Sequence, residues 1–144
     1  MATPHITTWT PAPKYRIPND PALLADSNSL WLAYPTMAEP HGEMYAVVRF
    51  DRVFDHRLSP INDEGIGEHA YARFGLEWYA FNEVIGSTEA LKWQRLKARH
   101  WVITFKDNTL DVVAESASVV IQAVRGSDSV SVLLSRLAAP KSIP

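Results

Sequence analysis

The chain has 144 residues, 47% of them hydrophobic and 10% aromatic, which suits one folded domain and excludes a disordered chain. Its 14 basic and 16 acidic residues leave a formal net charge of −2, so no overall field draws a polyanion and general nucleic-acid binding is not expected. With no cysteine there are no disulfides, thiolate metal sites or cysteine nucleophile, and no apolar run approaches the ~20 residues of a membrane-spanning helix.

The opening stretch, MATPHITTWTPAPKYRIP, lacks an uninterrupted apolar core and a basic leader, so no signal peptide is expected and the location reads as cytoplasmic. Pro4, Pro11, Pro13, Pro18 and Pro21 fix φ and remove donors, so residues 1–22 read as an extended arm ahead of one globular domain over 23–140. The arm's Trp9, Tyr15 and Ile17 either pack over their own domain or embrace a partner or a second copy.

Leu30–Tyr34 is a short strand stopped by Pro35, and Met44–Phe54 is a second. In the latter, Met44, Ala46, Val48, Phe50 and Phe54 share one face, broken only by Arg52. From Asp55 to Arg73 the period disappears into a long loop with Pro60, Gly65 and Gly67, of a kind more often functional than its neighbours. Leu76–Ile85 reads as an aromatic-rich strand. Gly86-Ser87 then turns into a short helix over Thr88–Ala98, capped by Ser87 and resting on the sheet through Ala90, Trp93 and Leu96.

Residues 99–115 are the strongest local pattern. Two apolar-alternating runs flank Asp107-Asn108, which predicts a two-residue turn needing positive φ, with Phe105 opposite Leu110. One face then carries Trp101, Ile103 and Phe105 against Ala114, Val112 and Leu110; the other pairs His100 with Glu115 and Thr104 with Asp111. Val119–Val124 offers another short strand, and Asp128 caps a last helix over Ser129–Ala138. The expected class is α+β: an antiparallel twisted sheet or partial barrel of five or six strands with one or two covering helices.

The run HWVITFKDNTLDVVAE, preceded by GLEWYAFNEVIGS and a tryptophan, resembles a group of small bacterial proteins of undefined function, over residues 30–115. The resemblance implies a bacterial, cytoplasmic, single-domain protein and brings no catalytic residues.

Chemistry concentrates in two places. The long loop holds Asp55, His56, Asp63, Glu64, Glu68, His69 and Tyr71, imidazoles beside carboxylates, as acid–base catalysis or a metal site requires. It is not HExxH, and its ordinary reading is a solvated acidic loop paired with Arg57 and Arg73. Gly65-Ile-Gly67-Glu-His-Ala70 matches G-x-G-x-x-A, but Asp63, Glu64 and Glu68 would repel a pyrophosphate. The second place is the hairpin's polar face, where His100 could be a base held by Glu115. That face matters chemically only if the long loop roofs it, bringing His69 beside His100 in a water-poor cavity.

Three functions follow. The first is a non-catalytic binding or accessory protein, holding a partner protein or small apolar ligand through an aromatic sheet face with Trp78, Tyr79, Tyr71 and Arg49. The second is a small cofactor-independent acid–base enzyme with His100 or His69 as base and Glu68, Asp111 or Glu115 as orienter. The third is a metal-binding protein using His56, Glu64, Glu68 and His69. No cofactor, nucleic-acid or membrane partner is expected, and a homodimer is the oligomer considered.

Overall fold

The structure, a computed structural model, describes residues 3–137. Its strands are β1 (His5–Thr8), β2 (Ala22–Ala25), β3 (Ser29–Pro35), β4 (Met44–Ser59), β5 (Phe81–Ile85), β6 (Arg99–Thr104) and β7 (Thr109–Arg125). They form one open antiparallel sheet in the order β1-β5-β6-β7-β4-β3-β2. The α-helices are α1 (Thr88–Lys92) and α2 (Ser129–Leu137). Seven strands exceed the expected five or six. The excess arises because His5–Thr8, between Pro4 and Pro11, pairs along β5, and Ala22–Ala25 pairs along β3.

Side chains of β3, β4, β6 and β7 build the main core on one face, where Leu30, Leu32, Tyr34, Ala46, Val48, Phe50, Trp101 and Val112 are wholly buried. The rings of Tyr34 on β3 and Phe81 on β5 lie 5.5 Å apart although β6, β7 and β4 intervene. A flat sheet would hold these strands ~19 Å apart, so the sheet curls its apolar face inward.

The N-terminal segment straps that curl. Trp9 donates its N–H to Phe81 O (2.8 Å) and Arg16 its N–H to Pro35 O (2.9 Å), one at each side. Between them Trp9 packs on Phe81 and Trp101, Tyr15 meets Phe105 edge-on at 5.0 Å, and the Tyr34 hydroxyl donates to Pro13 O at 2.6 Å. The arm's aromatics therefore serve their own core.

Several elements end elsewhere than the pattern predicts. β4 runs to Ser59, so the long loop begins at Pro60 and not at Asp55. Within β4, Arg52 takes a left-handed φ of 53° beside a register shift. The bulge swaps faces: Val53 packs against the core, while Phe54 stacks on Trp93 at 5.1 Å. The strand expected from Leu76 begins only at Phe81, and the helix expected to Ala98 ends at Lys92, followed by a 3-10 turn over Gln94–Leu96. Val119–Val124 is no separate strand but the far half of β7.

On the opposite face, α2 packs Val132 and Leu133 against Ala33, Tyr45 and Val47. Gly126 permits this approach, since a Cβ there would stand 2.4 Å from Val132. Asp128 Oδ1 accepts the Ser131 N–H at 2.7 Å, as expected of the cap; Ala138 lies outside the described residues.

Candidate functional site

The hairpin register creates the site. Asp107 and Asn108 both keep negative φ, so the tight primed turn does not form. Instead residues 105–108 make a wider loop, closed by the Phe105 N–H donating to Asn108 O (2.9 Å), with Phe105 in the core. Pairing starts at Thr104–Thr109, two residues from the expected register. Such a shift preserves both faces but changes every partner. His100 stands opposite Val113, not Glu115, and Asp111 opposite Val102, not Thr104. Asp111 thereby becomes the diagonal neighbour of His100 on one face.

The long loop roofs this face. Asn82, wholly buried, holds Glu77 and the β6 backbone together: its Nδ2 donates to Glu77 O and Val102 O, both at 3.1 Å. The Thr104 hydroxyl donates to Glu77 O at 2.7 Å, and that of Thr109 to Ile61 O at 2.8 Å. Asp63 is a fastener: it accepts from Tyr79 Oη (2.6 Å) and Lys106 Nζ (3.2 Å), and the Tyr79 bond first of all holds its carboxyl below the usual range. Beneath the roof, Tyr71, Val84 and Val102 form a small apolar cluster with Phe74 and Leu76.

His69 and His100 meet on Asp111. His69 Nε2 lies 2.8 Å from Oδ1 and His100 Nε2 lies 2.8 Å from Oδ2, with both rings buried. Burial opposes the charge on Asp111, but hydrogen bonds from His100 and then His69 outweigh it and pull its pKa down to about 2. A carboxylate only accepts, so each ring presents Nε2–H to it.

The two remaining nitrogens differ in kind. His69 Nδ1 accepts the Tyr71 backbone N–H at 3.1 Å, a donor that cannot reverse. His100 Nδ1 lies 2.9 Å from Ser87 Oγ, with Glu89 Oε2 at 3.6 Å. A hydroxyl donates to a bare nitrogen and accepts from a protonated one. His100 can therefore gain a proton at Nδ1 without losing its partner, whereas His69 cannot.

Ser87 is placed by the turn it caps. Gly86 supplies a φ of 80°, and Ser87 Oγ accepts the Ala90 N–H at 3.0 Å to start α1. That cap aims Glu89 back at the sheet, where it accepts a short hydrogen bond from the Tyr71 hydroxyl. The same hydroxyl accepts the Thr88 N–H at 3.0 Å. Burial and then the Glu89 carboxylate raise the Tyr71 pKa, keeping the phenol protonated.

This assembly borders a cavity of about 270 Å³ lined by Asp55, His56, Arg57, Glu89, His100, Asp111 and Val113. Arg57 stands opposite Asp111 across β4 and β7, and Asp55 opposite Val113. Ser87 is wholly buried and does not line the cavity, which it meets only through His100. Ser87 enters the sequence reading only as a helix cap; the capping signal marks the turn that holds Ser87 and Glu89 but not the sheet face it meets.

The other candidates lie apart. Glu115 is exposed and pairs with Arg52 at 3.1 Å. Glu64 and Glu68 are exposed, His56 is exposed at the cavity away from both, and among the described residues no three His, Asp or Glu converge as a metal would need. Arg49 pairs with Asp51 at 3.1 Å, on the other half of the sheet. Trp78 and Tyr79 stand on the loop before β5, not on the sheet, beside a groove of about 380 Å³ shared with Trp9, Pro13 and Tyr15. Of the proposed ligand residues only Tyr71 joins His69 and His100. No helix among the described residues is long and apolar enough to cross a membrane. Comparison with protein-family models, curated proteins and solved structures finds no match, so the functional reading rests on this geometry.

Proposed function

We propose that the protein is a small cofactor-independent acid–base enzyme whose cavity lies over Asp111. Glu89, which lines the cavity and is far more exposed than His100, exchanges a proton with the substrate. His100 takes up or returns that proton at Nδ1, with Ser87 reversing its hydroxyl to follow. Asp111 fixes the His100 ring and balances the imidazolium, while His69 and Tyr71 position Asp111 and Glu89. Arg57 supplies a cation for substrate orientation. The observation that carries this reading is the His100 ring, buried between Asp111 on one nitrogen and the Ser87–Glu89 pair on the other.

The test is metabolite profiling of a small-molecule extract incubated with the protein or with His100→Gln. The expected result is at least one compound consumed, with a product of related mass, by the unaltered protein alone. Identical profiles would contradict the proposal.

A second reading, a binding protein, draws on Trp78, which is 60% exposed beside the groove formed with Trp9 and Pro13. Trp78→Ala would abolish capture of an apolar ligand there while leaving turnover at Asp111 unchanged.

A further inference from the structure

The carboxylates of Asp55, Glu89 and Asp111 line the cavity together with the guanidinium of Arg57. All but Glu89 stand on the sheet in a fixed pattern. His100, Val113 and Asp55 form one row across β6, β7 and β4, and Val102, Asp111 and Arg57 form the next. Asp55 and Arg57 are two positions apart on one strand, so both rise from the face that holds His100 and Asp111.

Two of these carboxylates are already engaged. Asp111 accepts from His69 on one oxygen and from His100 on the other, each at 2.8 Å. Glu89 accepts from the Tyr71 hydroxyl. Arg57 stands directly opposite Asp111, yet both oxygens it would meet are held by imidazoles. Among the described residues neither Arg57 nor Asp55 makes an ion pair, with each other or with any third group.

With the internal bonds counted, one anion and one cation remain, neighbours on β4 and exposed at the cavity. A ligand bearing only a carboxylate would satisfy Arg57 but meet repulsion from Asp55 and Glu89. One bearing only an amine would satisfy Asp55 and leave Arg57 unanswered. A molecule bearing both groups complements both residues, the guanidinium gripping its carboxylate and Asp55 its ammonium. Two strand positions span about 7 Å, the scale of a compact zwitterion held at either end. The volume of about 270 Å³ lies at the small end of ligand sites, which selects a short side chain.

We infer that the cavity takes a small amino acid, with its carboxylate on Arg57 and its ammonium on Asp55, beside Glu89. What becomes of that ligand rests on the acid–base reading above; its binding does not require turnover.

Isothermal titration calorimetry of the full chain tests it, with glycine, L-alanine, β-alanine, L-serine and L-aspartate as probes and propionate and ethylamine as singly charged controls. At least one amino acid should bind, and both controls should bind at least about tenfold more weakly. Arg57→Gln should weaken the amino acid about tenfold or more and erase its advantage over ethylamine. Asp55→Asn should erase its advantage over propionate. Circular dichroism shows that each variant is folded, and Arg57→Lys, which keeps the charge, should retain part of the affinity. No binding by any of the five, or binding indifferent to both substitutions, would overturn the inference. Turnover of a compound lacking either charge would also overturn it while leaving the acid–base reading in place. Amino-acid binding with no compound consumed in the metabolite profiles would uphold it and remove that reading.

Discussion

His69 lies 42 positions before Asp111 in the chain, yet its Nε2 stands 2.8 Å from the Asp111 carboxylate. That bond joins the others that tie the roof to the sheet, because His69 belongs to the loop and Asp111 to β7. His100 makes the same bond to the other carboxylate oxygen, and the two histidines differ only at Nδ1. One is locked by a backbone amide, and the other faces a hydroxyl that can turn.

Turnover should separate these roles. Glu89→Gln and His100→Gln should each lower kcat by about 10²–10⁴-fold, the range typical of general acid–base groups. His69→Gln, which keeps a donor near Asp111, should lower it far less. Steady-state kinetics on the substrate found by profiling measures the difference, with thermal melts to show that each variant is folded.

Acid stability should depend on Asp111. Its folded pKa of about 2 lies below the ordinary 3.8, so between these values the unfolded chain binds more protons. The associated stability, about 2 kcal/mol, is present above about pH 4 and is lost as pH falls through about 2. Asp111→Asn should lose it at neutral pH and flatten the dependence below pH 4. Urea unfolding at a series of pH values reads both effects.

Ser87→Ala should cost about 1 kcal/mol through the lost cap alone. A further penalty of about 1 kcal/mol follows because the buried His100 Nδ1 loses its partner. Ser87→Thr, which retains the hydroxyl, should recover much of both in denaturant midpoints.

Tyr34→Phe probes the strap. The hydroxyl is buried and bonded to Pro13 O, and removing it leaves that carbonyl unsatisfied, at about 1–3 kcal/mol. Hydrogen exchange should report the loss first at Trp9 and Arg16, whose amides anchor the strap at either side.

The alternation of Trp101, Ile103 and Phe105 with Leu110, Val112 and Ala114 made the core face of the hairpin legible, because period two survives any even shift of register. The partners were not legible: Asp107-Asn108 resembles a primed turn, but burying Phe105 outside the ladder widened the loop. Thus His100 and Asp111 were chosen as chemical candidates while Glu115 was matched to the wrong strand position. Arg52 shows the same limit, since an arginine at positive φ carries no mark in the sequence that its strand will swap faces. Glu89 was hidden because a carboxylate in a first helical turn already has a local reason to be there. The roof depended on Asn82 and Thr104 seizing Glu77 O, contacts between distant segments that no local pattern announces.

The central claim, that one carboxylate orients two imidazoles of unlike role, is tested most directly by ¹⁵N NMR of the histidine rings at neutral pH. The account predicts bonded Nε2–H protons on His69 and His100 that Asp111→Asn perturbs together. It also predicts that Ser87→Ala moves Nδ1 of His100 and leaves His69 unchanged. Rings of His69 and His100 that average freely between tautomers would contradict it.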